Sequence, residues 1–267
     1  MPASPSKPPR QVATPTEAPR RRGRPPRREA PDGALAPQIS REQILERATE
    51  IARTEPLGEI SMVGLARDLG VAPTLIHYYV GSHDDLISGV VNRYFRERAA
   101  RMPALTGNWK EDLRIDATHT FRLNLEYGGV LRYTMSHNRS RLFQRVGPGE
   151  TDYGVLYLDR TAETLRCAGF TPQQAALAFH LLSLYVMSSA YAEVSKQLPA
   201  YHERYIREQI ALHPLEQLLG AHYIADSFAA LDSDTAFPAG LKLLIDGFEG
   251  WLPEAAPSAR RKTARGS

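Results

Sequence analysis

Only one cysteine, Cys167, occurs in 267 residues, which excludes an intramolecular disulfide and a multi-cysteine zinc site. A cytoplasmic setting is expected, and Cys167, in an apolar helical stripe, reads as a small core residue. No apolar run approaches a bilayer span, and the proline-rich, basic N-terminus has no apolar core, so neither a membrane helix nor a signal peptide is expected. Nucleophile elbow, phosphate loop, dinucleotide fingerprint and paired metal-ligand histidine spacing are all missing. An enzyme is therefore disfavoured, and no cofactor or metal is expected. No alternating strand pattern competes with helical periodicity, so the fold class is all-α.

What is present is an uneven distribution of charge. The formal net charge is +3, yet residues 1–39 carry eight Lys or Arg against three acids, and residues 254–267 carry four against one. The remaining body, residues 40–253, is acidic, with 21 basic residues against 26 acids. Affinity for nucleic acid comes mainly from Lys and Arg neutralising phosphates, so a DNA-binding reading must lean on the tails. Half of the prolines lie in residues 1–39, which have almost no large apolar side chains and cannot build a core.

Residues 61–86, SMVGLARDLGVAPTLIHYYVGSHDDL, read as two short helices around a glycine turn, followed by the start of a third helix. Ser61 suits an N-cap, and Val63, Leu65, Ala66 and Leu69 include the spacings of a buried stripe. Gly70 supplies a positive φ, Pro73 suits a first helical turn, and residues 74–80 form the second helix. Gly81 stops it, and Ser82 caps the next helix with Asp84 and Asp85 in its first turn. Upstream, Ser40 and Gln43 make a capping box before Ile44, Leu45, Ala48, Ile51 and Ala52.

The run LARDLGVAPTLIHYYVGSHDDLI resembles the helix-turn-helix of the TetR family of bacterial regulators through Leu65, Ala66, Gly70, Val71, His77, Tyr78, Gly81, Ser82 and Leu86. The resemblance implies DNA contacts from Arg41, Ser61, Ala72, Pro73, Thr74, His77, Tyr78 and His83. Two departures stand out. Ala72 and Pro73 replace the usual polar base-reading residues and offer only apolar contact, and His83 replaces a phosphate-contacting lysine. Within the N-terminal arm, Arg22-Gly23-Arg24-Pro25 resembles an AT-hook, whose arginines lie along a narrow minor groove; a solvated basic leader without sequence preference is the alternative.

Beyond the helix-turn-helix, helices are expected over residues 82–102, 108–127, 129–136, 151–168, 171–196, 199–212 and 235–252, with 202–231 the least regular stretch. The organisation expected is a basic arm (1–39), a helix-turn-helix domain (40–86), a helical effector-binding and dimerisation domain (87–253) and a basic tail (254–267). Polar and aromatic residues in apolar stretches, His119, Asn124, Tyr133, Met135, His137, His180, Tyr185 and Met187, are candidates to line an effector pocket. Residues 175–194 and the stripe of Phe237, Leu241, Leu244, Phe248 and Trp251 are candidates for self-association. By resemblance, the chain is expected to be a homodimeric repressor that binds a pseudopalindrome in double-stranded DNA, in the cytoplasm and on the nucleoid, and is released by a hydrophobic small molecule. The contrasting expectation is an architectural, A/T-preferring DNA-binding protein with no effector.

Overall fold

Ser40 starts the first helix by accepting from the Gln43 amide while the Gln43 side chain returns to the Ser40 N–H, and α1 runs Arg41–Ile51. In the computed structural model, which describes residues 39–137 and 141–253, every regular element among the described residues is helical. Next, Ser61 caps α2, Met62–Asp68, through a 2.9 Å bond from the Gly64 N–H. Gly70 turns the chain at φ +67°, and α3, Pro73–Val80, begins on its proline. A second left-handed glycine, Gly81 at φ +92°, reverses the chain into α4, His83–Ala100, whose start is closed by a reciprocal Ser82–Asp85 capping box.

The next helices are α5 (Trp109–Glu126), α6 (Gly128–Ser136), α7 (Tyr153–Cys167) and α8 (Pro172–Val194). A short 3-10 turn, Pro199–His202, precedes α9 (Glu203–Ala211), α10 (Leu219–Ala229) and α11 (Ser233–Glu249). The helix expected over 199–212 is thus a 3-10 turn followed by a shorter α-helix, and the irregular stretch after residue 202 holds both α9 and α10.

Two apolar clusters organise these helices. The first joins Ile44, Leu45, Ala48, Leu65, Ile76 and Val80 of α1 to α3 with Leu86 and Val90 of α4, and continues into Tyr127, Val130 and Tyr133. The second gathers Leu113, Phe121, Leu165, Leu182, Val186, Phe237, Leu241 and Phe248 around α5, α8 and α11. Helix α4 therefore runs without a break from the end of the helix-turn-helix into the larger bundle.

Three expectations are corrected here. Val63 is exposed, because α2 buries Met62, Leu65 and Ala66 and Val63 lies about 100° round the helix from Met62, off that stripe. Cys167 is exposed too: α7 is buried along Thr161 and Leu165, one turn apart, and Cys167 lies two residues past Leu165, about 200° round the helix. The stretch 172–211 is long and apolar enough, by length and composition alone, to cross a membrane. Part of that apolar content is buried, where α8 packs against α5, α6, α7 and α11 in the second core.

Candidate DNA-reading face and effector cavity

Helix α3 divides cleanly by side. Ile76 and Val80 are buried, whereas Ala72, Pro73, Thr74, His77 and Tyr78 form an exposed strip, with Tyr78 81% exposed and touching Tyr79 edge to face. The hydroxyls of Thr74 and Tyr78 and the imidazole of His77 are groups that can bond to base edges or phosphates. His77 Nδ1 lies 3.1 Å from the Gly81 carbonyl oxygen, which leaves Nε2 directed elsewhere. No Lys or Arg occurs on α3 itself. Arg67, in the last turn of the preceding helix α2, is exposed and has no acceptor among the described residues; sequence spacing did not single it out.

The other expected DNA contacts are engaged within the protein. Ser61 Oγ caps α2, Arg41 donates to Glu150 Oε1 at 2.9 Å, and half-buried His83 Nε2 lies 3.0 Å from the Ile60 carbonyl oxygen. His83 thus ties the start of α4 to the turn before α2, a structural use of the imidazole where a lysine was the expected type. Arg22 and Arg24 lie outside the described residues.

Between α4, α5, α6, α7 and α8 lies a cavity of about 250 Å³. Its walls are mainly apolar and aromatic: Val91, Tyr94 and Phe95 from α4, Val130 and Leu131 from α6, Tyr157 from α7, and Phe179, Val186 and Met187 from α8. An apolar cavity of roughly 150 Å³ accepts one benzene, so this one has room for a larger ring system. Behind its wall, the Arg98 guanidinium stacks 3.7 Å over the Tyr157 ring, pairs with Asp116 Oδ1 at 2.5 Å and donates to Thr120 Oγ1 at 2.9 Å. This buried ion pair joins the end of α4 to α5. Burial pushes the phenols of Tyr94 and Tyr157 above their ordinary pKa, so both stay neutral donors near neutral pH.

Of the residues expected in such a pocket, Asn124 and Met187 line it. Asn124 accepts from the Tyr94 hydroxyl at 2.7 Å and leaves its amide nitrogen without a partner among the described residues. His119 instead donates to the Arg98 carbonyl at 3.1 Å, and burial holds its pKa below the ordinary value. Tyr133 is buried against His137 in the first core's extension, and His137, Met135 and His180 are exposed. Tyr185 donates to the carbonyls of Ala236 and Phe237, so it fastens α8 to α11 rather than facing the cavity. The lining residues that sequence reasoning missed include Tyr94, Phe95, Tyr157 and Phe179, whose helical periodicity signals burial but not which of two cores they face, and Arg141, a loop residue with no periodic signal.

The self-association stripe is corrected in the same way. Phe237, Leu241 and Phe248 are buried within the chain's own second core, and Leu244 and Trp251 are half-buried against it. The large apolar side chains left exposed on these two helices are Leu177 and Leu184 of α8 and Leu243 of α11.

Comparison with known proteins places this geometry. Residues 102–252 match the family described as tetracyclin repressor-like, C-terminal domain. An HTH-type transcriptional repressor of Mycobacterium tuberculosis is 24% identical over 242 residues, covering 85% of this chain and 88% of the relative. The HTH-type transcriptional repressor DrrR1 of Streptomyces coeruleorubidus is 24% identical over 230 residues, 82% of this chain and 80% of its own. Among solved structures, apo ActR from Streptomyces coelicolor superposes with a TM-score of 0.68 at 25% identity, covering 82% of this chain and 98% of ActR. ActR in complex with actinorhodin gives 0.66 at 25% identity, covering 82% of this chain and 100% of that one. The chain belongs to the tetracycline-repressor-like (TetR) family of helix-turn-helix transcriptional regulators.

Proposed function

We propose that the protein is a homodimeric, ligand-released transcriptional repressor of the cytoplasm and nucleoid, acting by binding and not by catalysis. Residues 40–86 read DNA, and residues 87–253 hold the effector and the second copy. The observation that carries this reading is the α4 helix, which follows α3 directly after Gly81 and Ser82, packs on its buried face, and forms one wall of the cavity with its middle turns. Occupancy of the cavity and engagement of DNA then share one rigid element, which is what effector control requires: the effector binds the released arrangement better than the DNA-bound one. ActR, solved with actinorhodin bound, supports a small-molecule effector here, and the aromatic lining favours a largely hydrophobic one.

Thr74, His77 and Tyr78 are assigned to base or phosphate contact, Ala72 and Pro73 to apolar contact with thymine methyl groups, and Arg67 to a phosphate. The exposed Leu177, Leu184 and Leu243 mark the face for the second chain, so that two copies of α3 meet two half-sites about 34–36 Å apart. Arg22 and Arg24 supplement this thin readout from the arm, in the minor groove.

Selection of genomic DNA fragments by the purified full-length protein, repeated with residues 1–30 deleted, tests the assignment. A shared pseudopalindrome is expected from both proteins, with flanking A/T preference and a steeper salt dependence only in the full-length chain, because the deletion removes eight basic residues. Diffuse A/T-rich recovery without a palindrome would favour an architectural protein.

A further inference from the structure

We propose that Arg141 is the contact shared between the effector and the DNA-binding half, and that the effector is an aromatic molecule carrying an anionic oxygen, a carboxylate or phenolate, which takes Arg141 from Asp84. The inference rests on the reading of the cavity as an effector site and adds the chemistry of the effector and the residue that reports it. Arg141 lines the cavity from the loop after α6, and its side chain is only 8% exposed. Its Nη2 donates to Asp84 Oδ1 at 2.8 Å and to the Tyr133 hydroxyl at 2.7 Å, while Nε has no partner among the described residues.

Two more unsatisfied groups stand in the lining, the Asn124 amide nitrogen, which is a donor, and the Ser183 hydroxyl, which can donate or accept. Among the described residues, no carboxylate lines the cavity and Arg141 is the only cationic one. Buried donors without acceptors favour a guest that brings acceptors, and a guanidinium in an apolar enclosure favours one that is charged. Asp84 sits in the first turn of α4, three residues beyond the glycine that ends α3. An anion that draws the guanidinium inward therefore weakens a tether at the junction between the cavity and the DNA-reading strip. Asp84 and the effector compete for one group, and linkage makes the competition reciprocal.

Calorimetric titration of the full-length protein with 2-naphthoate and with neutral 2-naphthamide tests this, using wild type, Arg141→Gln and Asp84→Asn, each checked for an unchanged melting profile. Naphthoate is expected to bind wild type about tenfold more tightly than the amide, as a charge-assisted contact provides. Arg141→Gln should abolish that preference, and Asp84→Asn, which removes the competitor without touching the cavity, should raise naphthoate affinity several-fold while leaving the amide unchanged. Equal binding of both probes, or a preference that survives Arg141→Gln, would overturn the assignment of an anion to Arg141 yet leave the cavity as an effector site. Binding of neither probe would overturn both.

Discussion

Gly129→Ala is expected to destabilise the protein by about 3 kcal/mol or more, lowering the melting temperature by roughly 6–12 °C for a chain of this size. A Cβ built on Gly129 would fall well inside van der Waals contact with the carbonyl oxygen of Glu55 and only 2.6 Å from that of Ala52. Both obstacles are backbone, so no rotamer change relieves them. At this point α6 rests on the turn after α1, with the Val130 N–H donating to the Ala52 carbonyl at 3.2 Å and Arg132 Nη1 to that of Thr54 at 2.9 Å. An added methyl forces α6 away from that turn and weakens both bonds. Gly220→Ala is the matched control: it also lies in a helix, nothing stands within 4 Å of its Cβ, and alanine should be neutral or stabilising by up to about 1 kcal/mol. Thermal unfolding of the two variants beside wild type checks the contrast, and equal melting temperatures would remove the close packing of α6 on the DNA-binding half from the account.

Thr74→Ala combined with Tyr78→Ala should leave the fold intact and reduce affinity for the selected operator roughly a thousandfold. The two side chains lie one turn apart on the exposed strip of α3 and contribute nothing to either apolar core, so the melting temperature should move little. Each base-directed contact contributes about 1–3 kcal/mol, and in a twofold dimer every substitution acts at both half-sites. Even the lower figure, taken over four lost contacts, gives the stated loss. Fluorescence anisotropy with a labelled operator duplex, read at one fixed salt concentration, is the measurement. Retention of wild-type affinity would move the reading surface away from α3.

The helix-turn-helix was legible in the sequence because its signals are local. Ser40, Ser61 and Ser82 cap within three residues of their partners, and the two left-handed glycines announce their turns wherever they occur. The effector cavity was only partly legible, since apolar periodicity identifies a buried face without saying which neighbour it meets. The same ambiguity made Phe237, Leu241 and Phe248 resemble an interface when they fill the chain's own core. Least legible were the ties between the two halves. Arg41 meets Glu150 across 109 residues and Arg141 meets Asp84 across 57, and neither pairing has a local signature. Asn92 shows the same pattern, bonding the Thr151 carbonyl at 3.0 Å and the Tyr153 N–H at 2.9 Å. These long-range contacts converge on the loop between α6 and α7, which engages Arg41, whereas His83 is held separately by the Ile60 carbonyl.

The central claim, that two copies of α3 read two halves of one operator, is tested most directly by measuring affinity for the selected duplex before and after one half-site is scrambled. The account predicts that scrambling a single half lowers specific binding about as far as scrambling both, toward the level of random DNA, with two chains bound per intact duplex. Undiminished binding to the half-scrambled duplex, or one chain per intact site, would contradict it.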